Sequence, residues 1–77
     1  MGMMFEDDIV DKLEVLLDYW IKHNTKHEEE FRSWADRVNR FCGEAAQQLQ
    51  DAAVKMAAVS SDLAKARQCL LKSKGRH

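Results

Sequence analysis

No proline occurs in this 77-residue chain, and glycine occurs only at Gly2, Gly43 and Gly75. Nothing therefore forces a helix to break, since proline is the strongest breaker and glycine the next. No stretch alternates apolar and polar residues for long, which excludes a sheet. Neither charge sign predominates: 12 basic residues against 13 acidic ones leave a net charge of −1. That balance gives no electrostatic case for nucleic acid. No apolar run approaches the roughly 20 residues that cross a bilayer. Glu6, Asp7 and Asp8 stand where a signal peptide would carry basic and apolar segments. The two cysteines, Cys42 and Cys69, form neither a framework nor a C-x-x-C pair, so reduced thiols in a cytoplasmic protein are the simplest account.

What remains is helix-forming composition, rich in alanine, leucine, glutamate, glutamine, lysine and arginine. After a frayed lead over Met1 to Phe5, Asp7 or Asp8 is placed to cap a first helix of about residues 7–23. Ile9, Val10, Leu13, Leu16, Leu17, Trp20 and Ile21 fall at helical spacing along it and make a wide apolar stripe. Asn24 and Thr25 then read as a turn. Asparagine tolerates the left-handed conformation that ends helices, and Thr25 with Glu28 matches a capping box. A link this short makes the flanking helices antiparallel.

From Phe31 the apolar residues run at spacings of four and three without a break: Phe31, Ala35, Val38, Cys42, Ala45, Leu49, Ala52, Met56, Val59, Leu63, Ala66 and Leu70. This is a heptad pattern. It passes through Gly43 in register, and no Ser, Thr, Asp or Asn follows that glycine to start a new helix. The reading is one long second helix over about residues 26–72, bent or broken at Gly43, with a basic frayed tail over 73–77. The fold class is all-α: a single domain built as an antiparallel helical hairpin with a short first arm and a long second one, self-associating into a bundle. A three-helix bundle is the alternative. The hairpin core is assigned to Leu13, Leu16, Leu17, Trp20, Phe31, Trp34, Val38 and Phe41.

A first helix that ends before the turn covers the long arm only to about Gly43. Leu49, Ala52, Met56, Val59, Leu63, Ala66 and Leu70 would then form an interface with other copies. Burying each large aliphatic side chain is worth roughly 1.5–3 kcal/mol, so a homo-oligomer, a dimer or larger, is expected. A protein partner fits the same face.

The residues that could carry chemistry are few. His23 and His27 stand four apart with acids after them, and together with Glu28 and Glu30 they are candidate ligands for nickel or zinc. With a turn at Asn24 and Thr25, however, the imidazoles would not share a helical face. The plainer reading makes His23 a last-turn residue at the negative helix end and His27 a solvated first-turn residue. No nucleophile is partnered with either histidine, and there is no phosphate-binding glycine loop, so the expectation is a non-enzymatic protein.

The run Trp20, Ile21, His23, Asn24, His27, Glu29, Glu30, Phe31, Arg32, Trp34 and Ala35 resembles a small helical module. In some anaerobe proteins that module follows a nickel-binding domain similar to the nickel accessory protein of carbon monoxide dehydrogenase maturation. The likeness extends along nearly the whole chain. It implies an all-helical fold and a setting near metal-handling proteins. Relatives carry a histidine just before the first tryptophan, where this chain has Tyr19.

Overall fold

A computed structural model describes the backbone of residues 2–74 and the side chains of residues 9–74. Two helices make up the described residues, α1 (Gly2–Val38) and α2 (Gly43–Lys74). They form an antiparallel hairpin 59 Å long and 19 by 13 Å across. The all-α hairpin is the class that the composition implied, with two helices among the described residues rather than three.

The turn lies elsewhere than expected. Residues 24 and 25 are in mid-helix, and the chain reverses over residues 39–42. The Thr25 hydroxyl does not cap a helix start; it donates to the Ile21 carbonyl at 2.9 Å, one turn back, a bond that suits threonine inside a helix. The Glu28 carboxylate accepts from Arg32 instead of reaching back to Thr25. With neither glycine nor proline near, asparagine and threonine each cost the helix at most about 0.7 kcal/mol. Asp7 and Asp8, read as caps, fall within α1, which starts at Gly2; their side chains, and the tail beyond residue 74, lie outside the described residues.

The real turn is built from backbone bonds and a sulfur cap. The Val38 carbonyl accepts the N–H groups of Phe41 and Cys42, both at 2.9 Å. Cys42 opens α2: its carbonyl accepts the Ala46 N–H at 3.1 Å and its sulfur the Ala45 N–H at 3.4 Å. The cap therefore precedes Gly43 and is a thiol where a hydroxyl is usual. Cys42 is exposed, not a buried residue of a continuous seam. Gly43 has no positive φ, and a side chain there would meet nothing nearer than the Asn39 Oδ1 at 4.0 Å. The reversal thus needs no left-handed glycine.

Moving the turn lengthens α1 to 37 residues, about 55 Å of helix. The two arms then match. Lys74, at the end of α2, donates from Nζ to Asp11 Oδ1 at 3.0 Å and to Glu14 Oε1 at 2.7 Å. The expected overhang of the second arm does not exist. Burial along α1 falls chiefly on Val10, Glu14, Leu17, Ile21, Asn24, Glu28, Phe31, Ala35 and Val38. Along α2 it falls on Ala46, Leu49, Ala53, Met56, Ser60, Leu63, Arg67 and Leu70. Each set repeats at intervals of four and three, the spacing of paired helices. Leu17 is 3% exposed, and Ala35 and Ala53 are 0% exposed; small residues here let the two backbones approach.

This seam re-sorts the expected core. Leu17, Phe31 and Val38 lie in it, whereas Leu13, Leu16, Trp20, Trp34 and Phe41 are exposed. The reason is geometric: one partner helix covers a single stripe, and the sequence supplies a wider one. Leu49, Met56, Leu63 and Leu70, assigned to an interface between copies, are half-buried along the seam within the hairpin.

Polar residues interrupt the seam. Ser60 lies level with the stretch around Asn24 in the register that Lys74 sets, and its Oγ is buried without a hydrogen-bond partner, as is Arg67 Nε. A buried unsatisfied hydroxyl costs about 1–3 kcal/mol. Ser60→Ala is therefore expected to raise the unfolding free energy by about 1 kcal/mol, read by denaturant titration; a loss of stability would show that Oγ has a partner. Thr25→Pro should cost about 3 kcal/mol or more and lower the helical circular dichroism, whereas at a turn it would be tolerated. The hydrogen bonds to Glu14 and then Asp11 raise the Lys74 pKa above the ordinary lysine value of 10.5. A raised folded pKa stabilises below the unfolded pKa and ceases to do so as pH rises through the folded one. The thermal stability that separates the native chain from Lys74→Gln should thus be constant near neutrality and vanish above pH 10.5.

Candidate functional site

Because α1 is unbroken, the residues predicted to flank a turn share one face of a helix. Residues four apart stand one above the other on a helix. Tyr19, His23, His27 and Phe31 accordingly form a ladder of rings. Tyr19 stacks on His23 with centroids 5.5 Å apart. His23 meets His27 edge to face at 4.4 Å, and His27 stacks on Phe31 at 5.9 Å.

The two imidazoles are in direct contact. His23 Nε2 and His27 Nε2 are 3.0 Å apart. On the far side of the second ring, His27 Nδ1 lies 3.0 Å from Glu30 Oε1. A carboxylate only accepts, so Nδ1 of His27 carries a proton and, in the neutral ring, its Nε2 presents a lone pair. His23 then donates from Nε2 to that lone pair. Glu30 thus sets the tautomer of His27, the arrangement by which carboxylates orient metal-ligating histidines.

The four candidate ligands do not act as one set. His23 and His27 come together, and Glu30 stands behind His27. Glu28 is turned to Arg32, with Oε2 at 3.2 Å from Nη2 and 3.4 Å from Nε, and sits half-buried in the seam. Among the described residues no group of three or more His, Cys, Asp or Glu side chains converges as a metal site. Cys42 and Cys69 are exposed and free. One chain thus supplies two imidazole donors. Among the described residues no helix is long and apolar enough to cross a membrane.

Beside the buried seam runs a second one that the sequence reading missed. Ile9, Leu13, Leu16, Trp20, His23, His27, Glu30, Trp34 and Arg37 also repeat at intervals of four and three, each one position before a member of the first, and Phe41 follows in the turn. His27 is half-buried and the others are exposed. Trp34 is 56% exposed, Ile9 63% and Phe41 80%. Extending the heptad count backwards from Phe31 through Glu28 and Asn24 would have found the first seam, and with it the second.

The family described as "Domain of unknown function (DUF8180)" matches residues 13–70. The chain belongs to this family. No curated protein and no solved structure matches it. The DUF8180 span takes in the histidine pair, the turn at residues 39–42 and both seams from Leu13 onward.

Proposed function

We propose that this DUF8180 chain is a non-enzymatic helical module that acts by pairing with a second copy of itself, as an adaptor or scaffold. The observation that carries the reading is the second, solvent-facing seam of α1. A lone hairpin has no use for two tryptophans and Phe41 standing in water at heptad spacing, whereas a second hairpin would bury them. On α2, Ala45, Ala52, Val59 and Ala66 each precede a seam residue, as Leu13, Trp20, His27 and Trp34 do on α1. In antiparallel helices such positions flank the same side of the contact. The apolar face thus spans both arms, and its α2 half retains Ala52, Val59 and Ala66 from the interface expected of the sequence.

Areas agree with this. The chain exposes 6294 Å², against about 4,800 Å² for a compact monomer of its 8.9 kDa mass. The excess, about 1,500 Å² per chain, reflects the rod shape and leaves enough surface for a contact of the size obligate dimers use. The radius of gyration of 17.5 Å, against about 11.5 Å for a compact chain of this length, reflects the same elongation. The setting implied by the tryptophan–histidine motif, a helical appendage to a nickel-binding domain, suits such a module: a paired hairpin would hold two neighbouring domains side by side.

Sedimentation equilibrium of the full chain at tens of micromolar is expected to give the mass of a dimer or a multiple of it; a monomer there refutes the reading. Trp34→Glu should raise the dissociation constant at least 100-fold, about 2.7 kcal/mol, with helical content unchanged. Val54→Glu, on an exposed position away from the face, should leave it as it is.

A further inference from the structure

On α1 the spacing of the second seam reads the same in both directions about residue 25: position 13 mirrors 37, 16 mirrors 34, 20 mirrors 30 and 23 mirrors 27. Two copies of α1 laid antiparallel in that register have their two-fold axis between His23 and His27. Leu16 then faces the partner's Trp34, Trp20 the partner's Glu30 and Leu13 the partner's Arg37. The axis brings four imidazoles to one point, two from each chain.

We propose that His23 and His27, joined by the same pair from a second copy, form a four-imidazole site for a divalent cation of the nickel–copper class. The inference rests on pairing through the second seam. The donor atoms already stand close to a chelating position. With metal–imidazole bonds of about 2.05 Å, Nε2 atoms 3.0 Å apart subtend about 94° at the metal. That is near the right angle between neighbouring ligands in tetragonal complexes and short of the tetrahedral angle. Four nitrogens in that geometry select nickel(II) or copper(II) over magnesium or calcium, which prefer oxygen.

The protons balance without an added base. His27 Nε2 already holds its lone pair toward the site because Nδ1–H is engaged by Glu30. His23 shifts its proton from Nε2 to Nδ1 and offers Nε2 to the metal. The cation replaces one hydrogen bond between the rings with two coordinate bonds, and Glu30 remains a positioning residue behind His27.

The test is calorimetric titration of the full chain with nickel(II) alone, with native mass measured in parallel. Nickel is preferred to copper because the free thiols of Cys42 and Cys69 would reduce copper(II). The expected result is one nickel per two chains, with affinity lowered at least 100-fold in His23→Ala or His27→Ala. Glu30→Gln should weaken it about 10-fold, and Glu29→Gln should leave it unchanged. All four substitutions fall on partly or fully exposed positions, and helical circular dichroism checks that each variant folds. Undiminished binding by the double histidine variant, or one nickel per chain, would overturn the proposal. A double variant that remains dimeric yet binds no nickel supports the site; a native chain that is dimeric and binds none refutes the site alone. A native chain that stays monomeric with and without nickel refutes both the site and the pairing.

Discussion

Two helices laid side by side can hide only one stripe each. Everything else about this hairpin follows from that limit. Its seam is narrow, and its most buried members are Leu17 and three alanines, Ala35, Ala46 and Ala53. Alanine brings the helices together but buries little area. The large side chains, Trp20, Trp34 and Phe41 among them, are left on the outside. The apolar surface that a larger domain would hold in its centre here lies along one flank of a 59 Å rod. A core this thin is marginal for a chain of 77 residues.

Polar groups in the seam serve a different end. Asn24, Glu28, Ser60 and Arg67 occupy positions where apolar residues would bind more strongly. A polar residue at such a position can select one register at the expense of stability. With alanine so common along α2, a slip by one heptad would bury a similar apolar area. The polar positions, together with the anchor from Lys74 to Glu14 and Asp11, distinguish the observed register from its neighbours.

The histidine pair shows how one local decision governs the chemistry. Were the chain to turn at Asn24, His23 and His27 would end and begin different helices and point apart. Because α1 continues, they stand one turn apart with nitrogens in contact. The same continuity aligns Ile9 through Arg37 on one side, with the imidazoles near the centre of that stripe. The exposed apolar stripe and the histidine pair are therefore not separate features.

Much of the fold was legible in the residues themselves. Absence of proline, scarcity of glycine and heptad spacing required helices, and the length of the pattern required a hairpin. The spacing of four between the histidines was equally plain. Where the chain reverses was misread at Asn24 and Thr25, because the signals there and at Cys42 with Gly43 are each weak and local. A capping motif is worth about 1 kcal/mol, less than burying a single leucine. Only the packed structure weighs those tenths of a turn against a full seam of contacts. It placed the reversal at residues 39–42, where both arms reach equal length, and so determined which apolar residues are covered, which remain outside, and that two imidazoles meet.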